Sequence, residues 1–302
     1  MDGADVRLGG LHAATTSVDA AQLDAARYGF HRQHPQRSSK RTLHTTQALW
    51  LIAAITGFIY AALTHPTLTF TALHYAALAF FTAAILVRLL AAAQLTPRLS
   101  RIADPTRFPT YTILCPLYRE ANVAPDLLAA LARIDYPTQA LDIKILIEGD
   151  DVETLAAALA AANAPHIEIV VVPAAATPRT KPKALNVGLA IARGEFVVVY
   201  DAEDRPHPQQ LRAALAAFED GDEKLACVQA PLAIDNADAS WIARQFAAEY
   251  AIQFRELLPF LAKLKLPFAL GGTSNHFRTE ALRKAGGWDA YNVREKSRAF
   301  LA

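Results

Sequence analysis

The chain has 302 residues and a net charge of +1, with 53% hydrophobic and 20% charged residues. A pI near 7.8 leaves no basic footprint for nucleic acid. A mean hydropathy of +0.15 is high for a wholly soluble protein, and the excess is local.

Residues 1–41 are polar and weakly patterned, with Val18–Tyr28 as a short helix in an otherwise loosely ordered cytosolic segment. From Thr42 to Val87 there is no Asp, Glu, Lys or Arg. That length exceeds one bilayer-spanning helix and suits two of about 20 residues each. The spans predicted are Thr46–Leu63 and Leu68–Leu90, turning at Thr64-His65-Pro66-Thr67 within a hairpin segment of residues 42–95. Arg37, Lys40 and Arg41 precede the first span, and Arg88, Arg98, Arg101 and Arg107 accompany or follow the second. The turn has no basic residue, so the positive-inside rule puts both flanks in the cytosol. A multi-pass membrane protein, with bacterial inner membrane as its setting and membrane lipid as a partner, is the expectation.

A Pro- and Arg-bearing linker covers residues 96–110. Beyond it, strands are predicted at Tyr111–Cys115, Ile143–Ile147, Ile167–Val172, Phe196–Tyr200 and Leu225–Leu232. Helices are predicted at Val123–Arg133 (N-capped by Asn122), Val152–Ala162, Lys183–Arg193 and Gln209–Phe218, with a longer amphipathic one over Trp241–Leu264. This alternation implies an α/β, doubly wound, mostly parallel sheet. Cys115 and Cys227 lie in apolar strand-like runs and read as buried small hydrophobes rather than a disulfide.

Val197-Val198-Val199-Tyr200 is followed by Asp201, Glu203 and Asp204. In open α/β sheets ligands sit beyond the carboxyl ends of strands. Asp201-x-Glu203 there can offer oxygen ligands to one hard divalent cation, Mg²⁺ or Mn²⁺, which would in turn hold a diphosphate. Neither a dinucleotide fingerprint, a P-loop nor a nucleophile elbow occurs. Phosphate must then be met by a metal, by Lys or Arg, or by a helix start, and Arg179-Thr180-Lys181-Pro182-Lys183 puts cations beside one.

The order of these motifs resembles the cytosolic catalytic domain of membrane-bound family 2 glycosyltransferases, the inverting group that includes cellulose and hyaluronan synthases. The resemblance covers residues 111–293 and implies a GT-A type, Rossmann-like sheet. Cys115-Pro116-Leu117-Tyr118-Arg119-Glu120 resembles the family's P-x-Y-N-E strand end, which implies donor contacts for Pro116, Tyr118 and Glu120. Ile147-Glu148-Gly149-Asp150-Asp151 falls at the Asp-rich, base-contacting site, leaving Glu148, Asp150 and Asp151 as candidates. Lys181-Pro182-Lys183-Ala184-Leu185-Asn186 is similar to K-x-x-A-L-N, with Lys183 placed near the donor phosphates. Asp201 and Glu203 occupy the catalytic, metal-binding D-x-D slot. Gly271-Gly272-Thr273-Ser274 and Gly286-Gly287-Trp288-Asp289 resemble acceptor-side elements, implying roles for Gly272, Thr273, Ser274, Trp288 and Asp289.

The resemblance implies transfer of a sugar from a nucleotide-sugar, most simply a UDP-sugar, to a polysaccharide or lipid-linked acceptor. The family's T-E-D motif, whose Asp is the general base, is replaced by Arg294-Glu295-Lys296. The tail 294–302 carries no family pattern, and a truncated or frame-shifted, inactive chain is the expectation. The competing expectation is a pseudoenzyme or interaction subunit that binds the donor without transfer. A soluble nucleotidyltransferase would share the sheet and the acids, but not the hairpin or the Gly-Gly-Trp-Asp turn. His207 and His276, lone histidines in polar stretches, read as incidental.

Overall fold

The computed structural model describes residues 15–93, 101–162, 164–174 and 177–292. These fall into two compact units, one built from residues 15–39, 101–230 and 269–292, the other from residues 40–93 and 231–268. The predicted tail, the altered T-E-D triplet and the start of the linker lie outside the described residues.

The first unit is a seven-stranded sheet in the order β1-β4-β3-β2-β5-β7-β6. Its strands are β1 (Thr15–Ser17), β2 (Tyr111–Leu117), β3 (Leu141–Glu148), β4 (Ile167–Val172), β5 (Phe196–Val199), β6 (Cys227–Gln229) and β7 (Asn275–Arg278). The first five run parallel, and β7 pairs antiparallel with both β5 and β6. The helices of this unit are α1 (Ala20–Gln33), α4 (Ala124–Leu131), α5 (Val152–Ala161), α6 (Lys181–Ala190), α7 (Gln210–Asp220) and α10 (Thr279–Lys284).

Period-two alternation sorts the side chains onto two faces. Tyr111, Ile113, Cys115 and Leu117 of β2 pack with Leu127, Leu131 and Leu215 of α4 and α7. Leu114, Leu146, Val170, Val197 and Phe277 pack on the other side with Leu185, Val187 and Leu282 of α6 and α10. Close packing of α6 needs Gly188, where a Cβ would come within 2.8 Å of Leu114 Cδ2. Cys115 is buried and Cys227 partly so, and burial pushes both thiols up, away from reactivity.

Three expectations change. Residues 15–39 are not loose: β1 extends the sheet beside β4, and α1 buries Ala26 and Phe30. An Asp19–Gln22 capping box starts α1, with Gln22 N–H donating to Asp19 Oδ1 at 2.7 Å. No strand is predicted beyond Leu232, yet β7 follows the Gly-Gly-Thr-Ser segment and extends the sheet beyond β5. At α4 the N-cap is Val123, without a side-chain bond, rather than Asn122.

The second unit contains α2 (Thr45–Thr64) and α3 (Pro66–Ala92), long and apolar enough to cross a membrane, with mean hydropathies of 1.6 and 2.0. They match the predicted spans, and only His65 separates them. Phe58 and Phe70 meet edge to face at 6.5 Å across the hairpin. The unit also holds a continuous helical run made of α8 (Trp241–Ile252), a π-helical turn (Gln253–Leu257) and α9 (Leu258–Lys263).

Candidate active site

The chain leaves β2 for β3 and β4 on one side and reaches β5 on the other, so β2 and β5 flank the switch point of the parallel sheet. Their carboxyl ends open the crevice where α/β folds bind ligands. At the end of β5, Asp201 is half-buried and accepts an ion pair from the Lys181 ammonium at the start of α6. Burial pushes the Asp201 carboxyl up, Lys181 opposes this, and the neighbouring Glu203 charge adds to it. Glu203 is exposed. From the end of β2, Glu120 joins them: burial raises its carboxyl, and the charges of Glu203 and Asp201 raise it further. Glu120, Asp201 and Glu203 therefore act on one another's charge, with the Lys181 ammonium paired to Asp201 among them.

Asp204, the third acid of the run, has a different task. Its Oδ2 accepts the Asp201 backbone N–H at 2.7 Å and the Thr273 hydroxyl. Thr273 also reaches the Val199 carbonyl at 3.2 Å, and Ser274, at φ 55°, donates its N–H to the same oxygen at 2.8 Å. The Gly-Gly-Thr segment is thereby latched to the acid-bearing turn. Burial raises the Asp204 carboxyl to about 6 despite the Thr273 bond.

At the end of β3, the predicted residues divide. Glu148 is buried and holds Lys183 with Oε1 at 2.7 Å and Oε2 at 2.9 Å. Lys183 has no exposed surface, so the residue placed by resemblance beside the donor phosphates sits inside the fold, and Lys181 is the cation at the acids. Asp150 pairs with Arg179 at 2.6 Å near the surface. Asp151 caps α5, accepting the N–H groups of Arg119 and, at 3.3 Å, Thr154. Arg119 adopts φ 59°, and its guanidinium stacks over Tyr118 at 5.2 Å. Pro116 is half-buried in β2, while Tyr118 is 39% exposed at its end.

The Gly-Gly-Trp-Asp turn is part of the framework. The buried Asn186 side chain accepts Trp288 N–H at 2.8 Å and donates to the carbonyls of Trp288 at 2.7 Å and Ala26 at 3.0 Å. Gly287 sits at φ +71°, where a Cβ would lie 2.6 Å from Asn186 Oδ1, so only glycine fits. Trp288 packs edge to face on Phe277 at 6.0 Å, and Asp289 accepts from Ser38 Oγ at 3.2 Å and from Ser39 N–H. Trp288 and Asp289, expected on the acceptor side, are thus buried and bonded to the protein. Ser274 is buried as well, and Gly272 alone of that group is exposed. His276 is wholly buried against the Tyr111 hydroxyl at 2.7 Å, while His207 is exposed.

Among the described residues, no three His, Cys, Asp or Glu side chains stand close enough to cage a metal. Two carboxylates suffice where a substrate diphosphate completes the shell, as Mg²⁺-type sites use one or two plus phosphate oxygens. The oxygen-only donors of Asp201, which already draws an ammonium, and of Glu203 fit a hard divalent cation.

The profile of the family described as Glycosyltransferase like family 2 matches residues 109–295 of the 302. The chain belongs to that family. Among solved structures it is similar to the mannosyltransferase PcManGT of Pyrobaculum calidifontis, determined with GDP-Man and Mn²⁺, at 24% identity and a TM-score of 0.53. That match covers 73% of this chain and 59% of the other. Similarity extends to residues 1–349 of TarS from S. aureus at 16% identity and a TM-score of 0.41, covering 64% and 53% of the two chains. It extends also to glucosyl-3-phosphoglycerate synthase from Mycobacterium tuberculosis at 19% and 0.37, covering 57% and 56%. The chain thus spans little more than half the length of these proteins, and its likeness to PcManGT is one of fold, the GT-A type.

Proposed function

We propose that the chain is an inverting glycosyltransferase, anchored by α2 and α3, that transfers sugar from a nucleotide-sugar to a glycan or lipid-linked acceptor at the cytosolic face of a membrane. The observation that carries this reading is the convergence of Glu120, Lys181, Asp201 and Glu203 beyond β2 and β5. Asp201 and Glu203 would hold Mg²⁺ or Mn²⁺, which offsets the charge of the departing diphosphate. Lys181 supplies the protein's own cation at that place, and its ammonium already lies on the carboxylate that would face the metal. Asp204 and Thr273 fix the turn that carries Asp201. Tyr118, Glu148, Asp150 and Asp151 surround the donor side, where Tyr118 is the residue most available to stack on a base.

A UDP-sugar is the donor this reading favours, and a guanine nucleotide is its nearest competitor. Thermal shift of the full chain in detergent, with UDP and GDP and with and without Mn²⁺, tests both. Metal-dependent stabilisation by UDP that vanishes in Asp201→Ala/Glu203→Ala supports the site, and persistence without the acids puts the metal elsewhere. The anchor rests on the hydropathy of α2 and α3 and on basic flanks at both ends. Reporter fusions after Arg41 and after Arg101 should both read cytoplasmic, and an external signal from either overturns the topology.

One observation favours a second reading, donor binding without transfer: Lys296 stands where the family's base would be, and a protonated ammonium accepts no proton. Base assistance contributes roughly 10²–10⁴-fold. UDP binding with product formation no higher than in Asp201→Ala selects this reading, and turnover well above that control excludes it.

A further inference from the structure

Residues 15–39 lie outside the segment 109–295 that carries the family pattern, yet they are built onto the sheet. β1 runs parallel to β4 with Ser17 opposite Val171, so the two strands end at the same edge. By that register α1 starts where the chain leaves β4 for the loop that leads to α6. α1 buries Ala26 and Phe30, one turn apart, and packs along α6. Arg27 follows Ala26 by about 100° around the helix, which puts it at the border of the buried face. Its Nε donates to the Thr177 carbonyl at 2.6 Å, and its Nη2 to the Thr177 hydroxyl at 3.4 Å. The guanidinium is braced over the Tyr28 ring at 4.9 Å. Arg32, on the next turn, pairs with Asp24 at 2.6 Å instead, so Arg27 is the arginine of α1 that holds the loop.

Thr177 is exposed and belongs to neither a strand nor a helix. Three residues on, Thr180 caps α6: its hydroxyl accepts Lys183 N–H at 3.4 Å and donates to the Ala290 carbonyl at 2.6 Å. Ala290 follows Asp289, whose carboxylate accepts Ser38 Oγ and Ser39 N–H. The N-terminal segment thus grips residues 177–180 twice, directly through Arg27 and indirectly through Ser38, Ser39 and the turn at 289–290. The next residue is Lys181, whose ammonium pairs with Asp201. A first-turn residue has no earlier turn of its helix to hold its N–H, so the residues before it set its place. A polar contact to a reacting group is sensitive to shifts of about 1 Å, which makes the hold on this loop a hold on Lys181.

We propose that residues 15–39 are an intramolecular clamp on the loop that delivers Lys181 to Asp201, with Arg27 as its positioning residue. The proposal rests on the reading of Lys181 and Asp201 as part of the donor site. Affinity for UDP and for GDP in Mn²⁺ is measured by calorimetric titration of the full chain in detergent, with a melt of each variant. Arg27→Gln should weaken nucleotide binding by about 3–10-fold, a part of the 10–100-fold expected for loss of Lys181 itself, with little change in the ligand-free Tm. Arg27→Lys keeps a cation able to donate to the Thr177 carbonyl and should recover most of the affinity. On a Lys181→Met background Arg27→Gln should add nothing, because the lysine it positions is gone. Parent affinity in Arg27→Gln, an equal loss with and without Lys181, or a fall in Tm as large as that in Asn186→Ala overturns the clamp and leaves the donor site standing. Parent affinity in Lys181→Met, or binding of neither nucleotide by the parent chain, overturns the donor-site reading and the proposal with it.

Discussion

Replacing Lys183 by Met separates a framework lysine from a donor-binding one. In the folded protein Lys183 is fully buried and holds both oxygens of Glu148, at 2.7 and 2.9 Å. Methionine keeps the apolar stem and removes the charge, which leaves Glu148 buried and unpaired. Burial already pushes the Glu148 carboxyl above its usual range, with Lys183 as the main opposing influence. Without that lysine the carboxyl takes a proton on folding. From an ordinary glutamate value near 4.3, this costs up to about 3.5 kcal/mol at pH 7 and about 1 kcal/mol at pH 5. The sign follows from linkage: a carboxyl raised in the folded state destabilises it increasingly as pH rises above the unfolded value. At about 2–4 °C per kcal/mol for a domain of this size, Tm should fall by roughly 7–14 °C at pH 7 and by a few degrees at pH 5. Adding Glu148→Gln should recover most of the loss at pH 7, since a neutral amide needs no counter-charge. Circular dichroism melts of the detergent-solubilised chain read all three variants. An unchanged Tm in Lys183→Met, with UDP-dependent stabilisation abolished, would refute the reasoning and return Lys183 to the donor phosphates.

The remaining predictions concern the cluster and its frame. Lys181→Met should weaken UDP binding in the presence of Mn²⁺ by about 10–100-fold, the worth of one charge-assisted contact, with little change in the ligand-free Tm. Calorimetric titration measures it, and an unaltered affinity would remove Lys181 from the site. Asn186→Ala loses three buried bonds that hold Trp288 and Ala26, at a cost of about 2–4 kcal/mol. A melt within a degree or two of the parent would show that the turn is held by other means. Burial depresses the His276 imidazole to about 3, so the unfolded chain takes up a proton between pH 3 and 6.5 that the folded one refuses. Stability should therefore drop by about 2 kcal/mol between pH 8 and pH 5 on this account, and His276→Gln should lose that dependence. A His276 proton resonance titrating near pH 6.5 would contradict it.

The strands that carry the site were legible because burial on both faces writes them as unbroken apolar runs, and β4 has the predicted bounds Ile167–Val172. The hairpin was legible for the same reason of uninterrupted hydropathy. β7 was hidden because Asn275, His276 and Arg278 are not strand formers by composition. They sit there because β5 and β6 offer unpaired edges on either side of the segment. For residues 15–39 the capping box Asp19–Gln22 was readable in advance, but the mate of α1 is α6, some 160 residues away, and local pattern cannot report it. The two lysines of α6 pose the same problem at the scale of one turn. Lys181 and Lys183 lie about 200° apart around the helix, so one must face outward if the other faces in. Motif spacing tolerates either. What decides is Glu148, an acid at the end of β3 that needs a buried counter-charge, together with Asp201, which needs one at the mouth of the crevice. The candidate site is thus specified by two acids at the ends of β3 and β5, each paired with a lysine in the first turn of α6, and each pair gives its lysine its address.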